Sequence, residues 1–243
     1  MTLDKTPETI HTMFNMIAKK YDLANNIMSL GMQKYCKNSA IKMLDIKSNS
    51  NVIDLCCGTG DLSAIIKKFN PDCQITGIDF SENMLKIAKS KHKNIQFWQG
   101  DVTNLPYEDN FFDIAVMGFG LRNILNAEKS VEEVYRVLKP NGQFLHLDFG
   151  RKNLPSKIYE IITPILTKIF TDNPKAYSYL IKSKREFPEP QDLIKDFESK
   201  GFKLKKRKDF IFGVISAQLM QKQLFLFFVF FIQLFYCRNK FLP

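Results

Sequence analysis

The spacing Asp54-x-x-x-Gly58-x-Gly60, with further acids at Asp79 and Asp101, is the part of this 243-residue sequence that can do defined chemistry. An apolar segment, Val52-Ile53-Asp54-Leu55, runs into a turn of small residues, Cys56-Cys57-Gly58-Thr59-Gly60, and helix-forming sequence follows. Small residues let a ligand approach the backbone. An acid about twenty residues on, at the end of the next strand, accepts hydrogen bonds from ribose hydroxyls. Asp54, Gly58, Gly60 and Asp79 therefore outline a nucleoside site. A dinucleotide requires a third glycine so that its pyrophosphate sits on the helix N-terminus, but Ser63 stands there. The nucleoside expected is one without phosphate, S-adenosylmethionine, with Asp101 near its adenine. Taken alone, Gly58-Thr59-Gly60 also reads as a tight strand-to-helix turn and Asp54 as a capping acid; acids ending the next two strands favour the ligand site.

These residues need a framework of alternating elements. Strands are predicted at 51–56, 74–79, 95–99, 112–117 and 144–149, and helices at 62–69, 82–90 and 127–138, with a Pro140-Asn141-Gly142 turn before the fifth strand. Repeated β-then-α units of this length predict a parallel, doubly wound α/β sheet, and right-handed crossovers set the ligand crevice at the carboxyl ends of the strands. Residues 6–36 read as helical with a stop near Gly31, and 1–50 form an N-terminal helical cap to a core over 51–218. Residues 155–185 are helical, broken at Pro164 and Pro174, and are expected as a lid over the strand ends; a helix at 191–199 and strands at 202–210 and 214–219 close the core.

Hydrophobic residues at 45% and charged residues at 25% are ordinary globular usage. The formal charge of +10 favours an anionic neighbour, nucleic acid or a membrane surface, although a thinly spread lysine bias reads equally well. Only KLKKRK at 203–208 is dense. Five irregularly spaced cysteines form neither a disulfide framework nor a metal pattern, which suits a reducing, cytoplasmic compartment and no metal site. The run LFLFFVFFIQLFY at 224–236, within an atypical tail at 219–243, is shorter than the roughly 20 residues of a spanning helix. An interfacial anchor, an aberrant terminus and a buried terminal element all remain open for it. His146 reads as an interior histidine, His11 and His92 as surface residues, and Cys56 and Cys57 as small residues filling the turn.

Longer stretches carry a resemblance. FNMIAKKYDLANNIMSLGMQK, DLCCGTGDLS, GDVTNLPYEDNFFDIAVMGFGLRNI, VYRVLKPNGQFLHLDF and DNPKAYSYLIKS, spread over 6–217, resemble the ubiquinone/menaquinone C-methyltransferases. Tyr21-Asp22 and Phe119-Gly120-Leu121-Arg122-Asn123 are the specific parts. The resemblance implies a class I S-adenosylmethionine-dependent methyltransferase fold, a seven-stranded, mostly parallel sheet with its last strand antiparallel. It also implies cofactor contacts at Thr59, Asp79, Asp101, Val102 and Gly118. Departures are Gln33 and Cys36 where the family has His and Trp, Asn141 in the Pro-Gly-Gly turn, and Asp148-Phe149-Gly150 for Glu-x-Ser.

The activity implied is methyl transfer to a ring carbon of a polyprenylated quinol, demethylmenaquinol first and a methoxy-benzoquinol as the alternative. Arg122 and Asn123, after the fourth strand, are expected to stabilise a developing phenolate or order a water; a structural ion pair and a turn-forming Asn are the plainer readings. Tyr21 is expected to touch the donor or the ring, and otherwise to be core. Residues 158–170 are candidate walls for the prenyl chain. Such a substrate implies a peripheral protein at the inner face of the membrane, with a homodimer left open. A nucleic-acid methyltransferase lacks its Asn/Asp-Pro-Pro-aromatic motif, so no nucleic-acid partner is expected, and a non-catalytic scaffold would show no turnover.

Overall fold

β1 (Asn51–Leu55) is buried along almost its whole length, and this is why Val52, Ile53 and Leu55 are apolar with no alternation, Asp54 being the one acid buried among them. The computed structural model describes residues 3–29, 31–170 and 174–224, without the side chains of 166–170, 174–175 and 177. From β1 the chain continues through α3 (Asp61–Phe69), β2 (Gln74–Asp79), α4 (Glu82–Lys91), β3 (Gln96–Gln99) and β4 (Phe112–Gly118). α5 (Ala127–Val137) and β5 (Leu138–Phe149) follow, then α6 (Leu154–Phe170), α7 (Pro174–Glu186), α8 (Pro190–Ser199), β6 (Phe202–Phe210) and β7 (Ile215–Lys222). α1 (Pro7–Met28) and α2 (Met32–Ile41) precede them.

The sheet runs β3-β2-β1-β4-β5-β7-β6, all parallel except β7, which is antiparallel to both its neighbours. This is the class I methyltransferase sheet that was expected. Strand order reverses between β1 and β4, so the crevice opens at their carboxyl ends. One face of the sheet is covered by Val131, Val134 and Val137 of α5 and Leu193, Ile194 and Phe197 of α8. The other is covered by Cys36 and Ala40 of α2 and Leu62 and Ile66 of α3. α1 lies on α4: Asn15 Oδ1 accepts from Ser81 Oγ at 2.6 Å and from Asn83 N at 3.1 Å. α7 adds Ala176 and Leu180 to the apolar cluster of Met13, Ile17 and Ala24.

Four boundaries differ from the sequence reading. The N-terminal helix does break at Gly31, but α2 resumes and runs to Ile41. The Pro140-Asn141-Gly142 turn is absorbed into β5 as an irregularity, with Asn141 at φ 64° and a register shift opposite Phe112. Pro164 does not break the helical segment, since α6 continues through it; Pro174 instead opens α7, where its missing N–H costs no helical bond. β7 extends to Lys222, whose buried ammonium donates to Tyr135 O and Leu138 O at 2.8 and 2.7 Å. These bonds explain why the strand runs past Leu219. Beyond Leu224 the aromatic run lies outside the described residues, and no helix among the described residues is long and apolar enough to cross a membrane.

Candidate active site

The crevice contains a cavity of about 240 Å³. β1 delivers the turn that forms its floor. Cys56 takes φ 54° and Gly58 φ 57°, and Gly58 N donates to Asp79 Oδ2 at 2.8 Å, clamping the ends of β1 and β2 together. A Cβ at Gly58 would meet nothing within 4 Å, so this glycine faces open space inside the cavity wall. Gly60 differs, since a Cβ there would strike the Phe97 ring at 2.8 Å and His92 at 2.9 Å. It is a packing glycine, not a lining one.

Asp79 also accepts from Ser81 N through Oδ1 at 2.8 Å. Burial pushes its carboxyl up, while the backbone donors pull it down. Each oxygen carries two lone pairs, so both keep acceptor capacity toward the cavity. Asp101 and Val102 line the same wall, Asp101 Oδ1 being held by Thr103 N and Oγ at 2.8 Å each. Gly118, Phe119, Gly120 and Asn123 from the end of β4 line the opposite side, and Tyr21 closes it from α1.

Of the expected residues, the structure therefore brings Gly58, Asp79, Asp101, Val102, Gly118, Asn123 and Tyr21 together. It places Asp54, Thr59, Gly60 and Arg122 behind the wall. Asp54 accepts from Ser63 N and Oγ at 3.0 and 2.6 Å, anchoring the first turn of α3. Thr59 Oγ1 donates to Asp22 at 2.7 Å, and Asp22 in turn pairs with Lys91, so these residues fasten α1 onto the loop. Arg122 is 5% exposed and pairs with the fully buried Asp148 at 2.6 Å, with Phe119 O at 2.8 Å on the same nitrogen. It lines a second cavity, of about 320 Å³, beside Leu121 and Phe187. The described side chains of 158–165 do not line the first cavity either.

Among the wall residues that were missed, His11 and Phe80 stand out. His11, read as a surface residue, lines the cavity with its ring edge-on to Phe80 at 5.3 Å. The signal available was its place three residues before Phe14 on the face that carries Tyr21. Phe80 was overlooked although it directly follows Asp79. His92 is half-buried with Nε2 unpartnered among the described residues, and His146 is fully buried with Nδ1 2.7 Å from Gln218 Oε1.

Burial raises Asp54 to about 7 from 3.8 against the pull of Ser63. A carboxyl raised on folding binds more protons in the folded state, so stability is greatest below 3.8 and falls as pH rises toward about 7. Asp54→Asn, which mimics the protonated acid, is expected to flatten the fall of the melting midpoint across that window. Parallel pH profiles for the two proteins would show that Asp54 stays ionised in the fold.

A model of the ubiE/COQ5 methyltransferase family matches residues 2–222. The demethylmenaquinone methyltransferase of Staphylococcus haemolyticus is 37% identical over 226 residues, covering 89% of this chain and 95% of its own. Its counterpart from Staphylococcus aureus is 36% identical, covering 89% and 94%. Among solved structures, an S-adenosylmethionine-dependent methyltransferase from Thermotoga maritima superposes with a TM-score of 0.67 at 18% identity, covering 88% of this chain and 100% of that one. One from Aquifex aeolicus gives 0.57 at 18% identity, covering 76% and 88%. The solved structures share the fold; the family model and the more similar sequences carry the membership, and the chain belongs to the ubiE/COQ5 methyltransferase family.

Proposed function

We propose that this methyltransferase binds S-adenosylmethionine in the first cavity and methylates a ring carbon of a polyprenylated quinol, converting demethylmenaquinol to menaquinol. The observation that carries the reading is the Gly58 cradle, open where a side chain would stand, beside the half-buried Asp79 carboxyl group. Gly58, Asp101 and Val102 hold the nucleoside, Asp79 accepts from its ribose hydroxyls, and Phe80 with His11 closes over it. When bound, the donor supplies an electrophilic methyl group on a sulfonium.

The remaining wall serves the acceptor. Asn123 Nδ2 donates to Phe119 O at 3.3 Å, which leaves Oδ1 buried and unpartnered among the described residues. Leaving a buried acceptor unpaired costs about 1–3 kcal/mol, and a quinol hydroxyl donating to Oδ1 removes that cost while orienting the ring. The Tyr21 phenol is pushed up by burial, so it stays protonated and acts as a donor to the second oxygen of the ring. Arg122 acts at one remove, holding Phe119 O and with it the turn that carries Asn123. A polyprenyl acceptor resides in a bilayer, so the protein works as a peripheral protein at the inner face of the membrane.

Purified protein incubated with labelled S-adenosylmethionine and reduced short-chain naphthoquinol is expected to yield a product one methyl group heavier. Asn123→Ala is expected to cut kcat about tenfold or more with donor affinity retained, the size usual for a lost orienting contact. Absence of product with every naphthoquinol and benzoquinol tried would overturn the reading.

A further inference from the structure

α6 is an inverted amphipathic helix. Its inner face buries two hydroxyls, Ser156 at 0% and Thr163 at 2% exposure, while Leu154, Ile158, Ile161, Ile162 and Ile165 stand 45–69% exposed. At 100° per residue those five aliphatic positions fall within one stripe about 100° wide, the width that ordinarily faces a core. Nothing among the described residues covers it. Phe212 adds an aromatic ring at 87% exposure on a turn where both it and Ile211 adopt positive φ. Two bulky residues in that region are strained, and such strain persists only where surroundings impose it. Here Asn153 Nδ2 donates to Phe212 O at 2.8 Å and Arg151 N to Gly213 O at 2.7 Å, tying the turn to the start of α6.

The rim of the patch is net basic. Lys152 and Lys157 are exposed without an ion pair among the described residues, Glu189 accepting only from Lys152 N, while the two acids Glu160 and Asp209 are outnumbered by the four cations that pair with them, Lys184 and Arg185 on Glu160 and Arg207 and Arg151 on Asp209. An aliphatic stripe with cations around it matches lipid tails beneath anionic headgroups better than it matches a second copy of itself, whose rim would repel it.

We propose that the outer face of α6, together with Phe212, docks on an anionic lipid bilayer. α6 follows the carboxyl end of β5, so docking there sets the cavity end of the sheet at the membrane. The role of the docking rests on the polyprenyl-quinol reading, but its geometry does not.

The test uses the full chain with vesicles of phosphatidylcholine alone or mixed with phosphatidylglycerol. Sedimentation with the anionic vesicles is expected to exceed that with neutral ones by about tenfold, and Lys152→Glu/Lys157→Glu is expected to erase the difference. Ile161→Asp/Ile165→Asp, at positions already 65% and 58% exposed, is expected to lower binding about tenfold or more while methyl transfer to a water-soluble short-chain quinol stays at the wild-type rate. Unchanged vesicle binding by the Ile161/Ile165 variant would overturn the proposal. So would a wild-type dimer that this variant dissociates while no vesicle composition binds the protein. Vesicle binding that the variant loses, in a protein that methylates no quinol, would uphold the docking and sink the activity instead.

Discussion

Replacing Asp148 with alanine is expected to destabilise the protein by about 3–5 kcal/mol, the cost of leaving one member of a buried ion pair without the other. Asp148 is 0% and Arg122 5% exposed, their contact is 2.6 Å, and Arg122 Nε already lacks a partner among the described residues. The guanidinium that remains keeps only the Phe119 carbonyl and the faces of Phe119 and Phe149, whose ring centres lie 5.8 and 4.9 Å away. For a domain of this size such a loss lowers the melting midpoint by roughly 6–20 °C. The double variant Arg122→Met/Asp148→Leu removes both charges and is expected to recover much of the stability, because desolvation of the pair opposes its attraction. Urea and thermal unfolding of the two variants measure this; an unaltered midpoint for Asp148→Ala would show that the pair is not formed. The double variant also separates the two roles of Arg122. It is expected to fold but to turn over more slowly, since Phe119 O and the turn bearing Asn123 lose their clamp.

The second large effect lies at Gly58. Asparagine tolerates the left-handed conformation that φ 57° demands, and a Cβ there meets no atom within 4 Å, so Gly58→Asn is expected to fold with a penalty of about 1 kcal/mol or less. Its side chain fills the space proposed for the donor. S-adenosylmethionine affinity is therefore expected to fall about 100-fold or more, near 3 kcal/mol, as read by titration calorimetry. Gly60→Ala makes the control, because its Cβ collides with Phe97 and His92. That change is expected to lower the melting midpoint. Wild-type donor affinity in Gly58→Asn would remove the loop from the binding site.

The framework was legible because its signals are local. A parallel strand buried on both faces reads as apolar residues without alternation, as in Val52, Ile53 and Leu55, and Asp79 is marked by standing at the end of the next strand just before a helix cap at Ser81. Glycines at positive φ announce the turn between β1 and α3 without reference to anything distant. His11 was misjudged for the opposite reason. Its type suits a surface helix, and only the docking of α1 through Asn15, Asp22 and Thr59 turns that face into a cavity wall.

By itself, then, the order of residues determined the α/β alternation, the glycine turn after β1 and the family, all encoded within windows of a few turns. Tertiary structure alone decided which polar groups face the cavity. Arg122 finds its partner 26 residues away on β5, and no pattern within one element can say whether a guanidinium meets a ligand or a buried carboxylate. The same holds for α6, whose aliphatic stripe reads as core or channel wall in sequence. Packing buries its hydroxyl face through the Lys184, Ser156 and Glu160 contacts and leaves the aliphatic face in solvent, because which side of a helix is inner depends on what its neighbours offer.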